Sequence, residues 1–478
     1  MHPKISSSWI LRLAALVCLA CAISISSACE REAAGENQDG AAAPGLANAR
    51  TNSATERAAR NDDSPIDRSE LKEKARSSAA AKDFENAATS NAASSGGECF
   101  RAAIGSEVPE PEDLRSVDGV LKVDLAFRTF VDSKGEVRFC YVTPNGKQSP
   151  TLRVKPGDTV ILNFKNEATA VLPQSKTVKA AQQAGAADAS AHSAMPMNSA
   201  NTPGAPCATG AMKATSTNLH FHGLTVPAEC HQDDVMRTLI DTGSAPYEYK
   251  FQIPADEPPG LYWYHPHIHG FTKAQVLGGA SAALVVEGIE RAIPDVAGLP
   301  ERVFVIRDQN LANPDAAPVD GTKLPPVVLD ADGDVMNTGT GTGKPAEDLT
   351  INYVPVPYPD YPPATITMKP GERQLWRVLN ASAITYLSLQ VLFGPQAQAM
   401  EVVALDGVPI HPKEAGLNKF ILLTHLGIPP GGRIEFVMHG PPAGTKAELV
   451  TRSVNTGAMG ENDPNRALAN IVAKTDAP

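Results

Sequence analysis

Leu152-Arg153-Val154-Lys155-Pro156-Gly157-Asp158-Thr159-Val160-Ile161-Leu162-Asn163-Phe164-Lys165-Asn166 places apolar side chains at alternate positions on either side of a Pro-Gly-Asp turn. Alternation of this kind turns one face of an extended strand into a core and the other outward, so the stretch reads as two strands around a turn. The pattern returns at Ile366, Met368, Pro370, Gly371, Glu372, Trp376, Val378 and Asn380, with every offset from the proline kept and a shift of 214 residues. A Pro-Gly turn between strands recurs by chance. A closing Asn and four apolar positions in the same register do so far less readily, and the chain reads as a duplicated β-sandwich domain. Upstream, Leu121, Val123, Leu125 and Phe127 alternate in the same way, and globular sequence starts near Val117.

The bulk numbers agree with this reading. A chain of 478 residues has room for two or three domains, and 40 prolines and 37 glycines with few long helical patterns favour an all-β protein. The expected layout is a signal over residues 1–29, a disordered linker over 30–115, one sandwich over 116–290 and a second, metal-free spacer sandwich over 300–475. A net charge of −11 gives no electrostatic reason to bind nucleic acid.

The first 29 residues read as an export signal, with an apolar run from Leu13 to Ile25 too short to span a membrane. Two endings stay open: ordinary cleavage after small residues at Ser26 and Ala28, or lipid attachment at Cys29 as in a bacterial lipoprotein. Either makes the protein periplasmic or cell-envelope associated. From residue 30 to 98 the large apolar residues are Leu46, Ile66, Leu71 and Phe84, too few for a core, as in a tether. Four cysteines follow: Cys99, Cys140, Cys207 and Cys230. In an oxidising compartment they suffice for two disulfides, and Cys99–Cys140 and Cys207–Cys230 are the favoured pairs among three pairings. An insertion over 168–217 carries His192, Met195, Met197 and Met212; these soft ligands suit Cu(I), against the plainer reading of a surface loop.

Six of the eleven histidines fall within 50 residues, at His220, His222, His231, His265, His267 and His269. The motifs are Asn218-Leu219-His220-Phe221-His222-Gly223-Leu224 and Tyr262-Trp263-Tyr264-His265-Pro266-His267-Ile268-His269-Gly270. Side chains two apart on a strand share a face, so each His-X-His aims two imidazoles one way, and two such strands side by side converge four. Neutral imidazoles suit copper, zinc, iron or nickel.

These motifs resemble the first two copper motifs of the multicopper oxidases, and the resemblance runs from about Val117 to the C-terminus through Gln275 to Ala280, Val303 to Asp308, Val403 to Gly407 and Pro430 to Val437. It implies tandem cupredoxin-like Greek-key sandwiches and a laccase-like copper oxidoreductase. Such an enzyme couples one-electron oxidation of a donor, a phenol or a metal ion, to reduction of O2. By motif position His220 resembles the type 2 copper ligand, and His222, His265 and His267 resemble type 3 ligands. His269 is the extra histidine, supporting the ligands rather than binding copper. Asp233 and Asp234 stand where the family often has an acidic residue near the cluster, and a carboxylate there relays protons.

The family's remaining motifs, His-Pro-X-His-Leu-His-Gly and a His-Cys-His run, do not occur in these 478 residues, and His411, His425 and His439 are isolated. The expectation is therefore a type 2 and type 3 half-site without the type 1 copper. Three explanations follow in order: a fragment, a partner chain that supplies a C-terminal cupredoxin domain, or a non-catalytic periplasmic copper-handling protein. A zinc or di-metal hydrolase fits poorly, because the flanks are β-type and Gly270 follows His269.

Overall fold

The computed structural model describes residues 99–169, 207, 210–316, 343–359, 362–410, 420–457 and 460–477. The signal, the tether over 30–98, His192, Met195, Met197 and His411 lie outside the described residues. The first sandwich has strands β1 (Asp113–Arg115), β2 (Val120–Val131), β3 (Val137–Val142), β4 (Thr151–Val154), β5 (Thr159–Asn166), β6 (His220–His222), β7 (Tyr247–Gln252), β8 (Gly260–His265) and β9 (Ala282–Val286), with helix α1 (Thr272–Leu277) before β9. Its sheets run β1-β4-β9-β8-β6 and β3-β2-β5-β7. A short helix α2 (Ile289–Ala292) leads to the second sandwich.

There the strands are β10 (Glu301–Gln309), β11 (Asp348–Ile351), β12 (Val354–Val356), β13 (Ala364–Met368), β14 (Arg373–Asn380), β15 (Leu387–Phe393), β16 (Gln396–Ala397), β17 (Met400–Leu405), β18 (Val408–Pro409), β19 (Ile421–Leu423), β20 (Leu426–Ile428), β21 (Arg433–His439), β22 (Ala447–Thr451) and β23 (Arg466–Ala473). One sheet runs β12-β11-β10-β14-β21-β17-β18 with β19 on β17, the other β13-β23-β22-β15-β16 with β20 on β15. The all-β class and the tandem sandwiches are as the sequence leads one to expect.

The repeat has a sharper meaning than a hairpin. Its two strands do not pair with each other: β4 lies beside β9 and β5 between β2 and β7, in different sheets, and β13 and β14 divide likewise. The Pro-Gly turn is a corner where the chain crosses from one layer to the other. In both copies the acidic residue after the glycine accepts a backbone N–H across the turn, Lys155 N to Asp158 at 2.7 Å and Lys369 N to Glu372 at 3.2 Å. The closing asparagines also match. Asn166 donates to Thr215 O and Ile240 O, and Asn380 to Thr385 O and Ile428 O, and each accepts the N–H two residues on.

The linker expectation fails for residues 99–115. Cys99 is bonded to Cys140, Val108 is buried in the second core, Glu107 accepts from Thr367, Glu110 pairs with Arg302, and β1 adds to β4 in parallel. This polar strap touches both sandwiches and is held by backbone pairing and carboxylates more than by apolar burial. The Cys207–Cys230 bond is also formed.

The sandwiches meet through Leu261, Trp263, Ala283 and Val285 of the first and Val303, Val305, Leu379 and Ala381 of the second. This explains why β8 buries every residue: Tyr262 and Tyr264 face the first core, while Leu261 and Trp263 face the second domain. A buried charge chain crosses the same boundary. Arg377 pairs with Glu435 and Glu301, Arg153 pairs with Glu301, and Glu435 accepts the Leu261 N–H at 2.7 Å.

Two measurements follow. Arg377 and Glu435 have side chains only 3% and 1% exposed. Arg377→Met leaves a buried carboxylate without its cation and should cost about 3–5 kcal/mol in denaturant unfolding, with Glu435→Gln recovering part of the loss. Burial pushes the Asp463 carboxyl up from 3.8 to about 6, against the Tyr386 N–H and Arg466 that favour its anion. The folded chain then holds this proton more tightly than the unfolded one, so its contribution to stability is complete below about pH 4 and is lost as pH rises through about 6. Asp463→Asn, which keeps an acceptor for Tyr386, should flatten the stability profile across that window in urea titrations.

Candidate metal centre

β6 is three residues long, and its antiparallel register opposes His220 to His265, Phe221 to Tyr264 and His222 to Trp263. Phe221 points into the core and meets Phe251 at 4.6 Å and Tyr249 at 5.8 Å between ring centroids. By the two-residue period its neighbours His220 and His222 face outward, on the side that carries Trp263 and His265.

Nitrogens of His220, His222 and His265 all lie within 4.8 Å of one another. His222 Nδ1 and His265 Nε2 are 3.4 Å apart. That is long for a hydrogen bond. Two nitrogens at 2.0–2.1 Å from one ion with a tetrahedral angle between them lie about 3.3 Å apart, so the spacing fits a shared metal. His267 is the fourth imidazole: its ring is 5.3 Å from His220 and 6.1 Å from His265, beside the three rather than among them. β8 ends at His265, so a shared strand face does not place His267. Asn218 does, accepting the His267 N–H at 2.7 Å and donating to the carbonyls of Val235, Thr238 and His267.

Partners fix which nitrogen each ring presents. Asp233 faces His220 Nδ1 at 2.9 Å and also accepts the Phe221 N–H, leaving His220 Nε2 to the cluster. His265 Nδ1 lies 2.8 Å from Pro266 O, leaving Nε2. Burial lowers the pKa of His222 to about 4, helped by Arg433, and that of His265 well below the ordinary value, helped by His220; burial lowers His267 too. Near neutral pH these rings are uncharged and can give lone pairs to a cation.

Asp234 stands apart from the cluster: its carboxylate pairs with Arg237 at 2.6 Å and accepts the Arg237 N–H. Both oxygens of Asp233 are engaged, at His220 Nδ1 and the Phe221 N–H, whereas the contacts of Asp234 are to Arg237 and not to the imidazoles. His269 is exposed on the turn after β8, near enough to bear on His267 electrostatically. His231 is outside the cluster, stacked on Tyr247 with Nδ1 against Glu248 O. His425 and His439 are exposed on the second sandwich, His439 beside Glu401.

Sequence reading gave no role to Trp263, whose ring stacks on His222 at 4.9 Å and on His265 at 4.1 Å. It also missed the Asn218 clamp, though both residues stand in the quoted motifs. Gly431, against His222, had no local signal, because it comes from the other domain.

Residues 211–290 match the family model described as multicopper oxidase. The match covers part of the first sandwich, and the fold of the chain is of the cupredoxin-like type. The chain is similar to Laccase-3 of Thanatephorus cucumeris, 26% identical over 233 residues, which is 47% of this chain and 34% of that protein. Laccase-1 of the same organism is 28% identical over 207 residues, 41% of this chain and 31% of its own length. The chain thus matches about a third of the length of these relatives. In fold it is similar to a variant of the McoA multicopper oxidase of the hyperthermophile Aquifex aeolicus, with TM-score 0.51 and 16% identity over 77% of this chain and 65% of that one.

The contrast between the adjacent aspartates is testable. Asp233→Asn should weaken Cu(II) binding by about 10-fold or more, the usual effect of losing a carboxylate behind a ligating histidine. Asp234→Asn should leave it within about twofold. Competition titration with a chromophoric chelator reads both.

Proposed function

We propose that this chain is an incomplete part of a laccase-like copper oxidoreductase, carrying type 2 and type 3 ligands for coupling one-electron oxidation of a donor to O2 reduction. The observation that carries the reading is the set of three nitrogens, from His220, His222 and His265, within 4.8 Å of one another. In this reading His220 holds the type 2 copper, and His222, His265 and His267 the type 3 pair. Bound copper supplies the one-electron chemistry and the affinity for O2. The chain's own residues orient the ligands: Asp233 holds the Nδ1 proton of His220, Pro266 O that of His265, and Asn218 the backbone of His267. Trp263 and the second sandwich keep water from the back of the His222 and His265 rings.

Four imidazoles leave a three-copper cluster short of ligands. The remaining ligands and the type 1 copper come, in this proposal, from a further cupredoxin domain on the same polypeptide or on a second chain. The donor, a phenol or a metal ion, docks largely there. The two disulfides support an exported, periplasmic or cell-envelope location, of which lipid anchoring at Cys29 is the finer form.

Copper titration followed by visible absorption and EPR tests the reading. The 478-residue chain should bind copper without intense blue absorption and should not oxidise phenols. Joined to a domain bearing the missing motifs, it should gain both colour and oxidase activity. His265→Ala with His267→Ala should then abolish O2 reduction and leave the blue colour. Turnover by this chain alone, with all copper accounted for, overturns the assignment; copper binding that never yields O2 reduction in the joined protein points instead to copper handling.

A further inference from the structure

Arg433 opens β21 of the second sandwich, yet it reaches into the first. Its Nε donates to Leu261 O at 3.1 Å, its Nη2 to Asp406 O at 2.8 Å and its Nη1 to Gly431 O at 3.3 Å, while the guanidinium carbon stands 5.8 Å from the Tyr262 ring centroid. The side chain is 6% exposed, and its one carboxylate partner among the described residues, Asp406 at 3.3 Å, is 62% exposed. A buried cation thus has its counter-charge in solvent.

Two glycines bring this cation to the metal centre. Gly223 follows His222 with φ +90, and a β-carbon there would sit 2.5 Å from Arg433 Nη2. Gly431, with φ +77, comes so close to His222 that a β-carbon would sit 3.3 Å from His222 Cε1. Left-handed backbone at both positions, with no side chain on either, lets the turn before β21 press on the corner after β6.

We propose that Arg433 is a positioning residue of the metal centre: it braces the His222–Gly223 corner from the second sandwich, and its fixed charge favours Cu(I) over Cu(II) at the imidazoles. The sign follows from Coulomb's law. A positive charge in a poorly solvated setting opposes the doubly charged ion more than the singly charged one. The inference rests on copper occupying the His220–His222–His265 site.

The test measures Cu(I) affinity under argon and Cu(II) affinity in air, each by chelator competition on the full chain, with circular dichroism to report folding. Arg433→Met should raise the Cu(II)-to-Cu(I) affinity ratio by about tenfold. Arg433→Lys keeps the charge and loses the fork, so both affinities should fall while the ratio stays within about twofold of the parent. Asp406→Asn, at an exposed position, removes the counter-charge and should lower the ratio by about two- to threefold, which keeps the test open if Arg433→Met does not fold. A ratio that does not move in Asp406→Asn or in a folded Arg433→Met, or that moves with the opposite sign, overturns the inference. His222→Ala separates the two levels. If it leaves copper affinity intact, the metal-centre reading fails. If it abolishes affinity while the other variants leave the ratio alone, only the role of Arg433 fails.

Discussion

The site depends on the register of a three-residue strand. With His220 opposite His265 and His222 opposite Trp263, the imidazoles lie on the outer face and Phe221 in the core. A slip of one residue would reverse this, burying two imidazoles and exposing a phenyl ring. Three hydrogen-bonding residues beyond the ladder hold the register. Tyr249 accepts the Leu219 N–H through its hydroxyl, Asp233 accepts the Phe221 N–H, and Asn218 spans from the head of β6 to the backbone of His267. The apolar anchor and the metal-facing residues are therefore one device: each Phe221 contact that fixes the strand also aims a histidine.

The outer face of β8 serves two purposes, and this gives the second sandwich more than a spacer's role. Leu261, Trp263 and His265 share that face. The first two make the interface and the third makes the centre, with Trp263 in both, packed between domains and stacked on two imidazoles. β6 ends opposite Trp263, and two side chains of β21 then take up the backbone of Leu261, Glu435 from its N–H and Arg433 to its carbonyl. Side chains of one domain thus engage backbone groups of the other where the short strand stops. The arrangement requires an Arg153–Glu301–Arg377–Glu435 network whose two cations and two carboxylates neutralise one another, and it couples the fit of the domains to the geometry at His222.

Much of this was legible because it is periodic or local. The repeat at Pro156 and Pro370 reveals two sandwiches, and the His-X-His spacing reveals three of the four imidazoles. What stayed hidden is where a local pattern has two structural solutions. A Pro-Gly turn between alternating strands looks the same whether it makes a hairpin or a corner between sheets; the pairing of β4 with β9 and β5 with β2 decides it. His267 repeats the two-residue spacing but lies past the strand end, where Pro266 has broken the ladder. Residues 99–115 look like linker because polar residues and prolines dominate them, and their docking uses Val108, two carboxylates and a parallel pairing. Arg433 stands more than 200 positions from His222, and neither the repeat nor the His-X-His spacing links the two.

Neighbouring residues of one kind also part company here for a physical reason. Asp233 and Asp234 are adjacent in the chain, but Asp233 meets an imidazole and a strand N–H, while Asp234 meets a guanidinium and the N–H three residues ahead. The first arrangement does chemical work at a distance. By holding a proton on His220 Nδ1, Asp233 leaves Nε2 as that ring's lone pair, as Pro266 O does for His265. His222 differs, with Nδ1 toward His265 and its other edge against Gly431. Two rings thus present Nε2 and one presents Nδ1, so the lone pairs approach from different depths of the same face. Burial that keeps the His222 and His265 rings neutral supplies the remaining condition, since a protonated imidazole would repel the cation it is placed to bind.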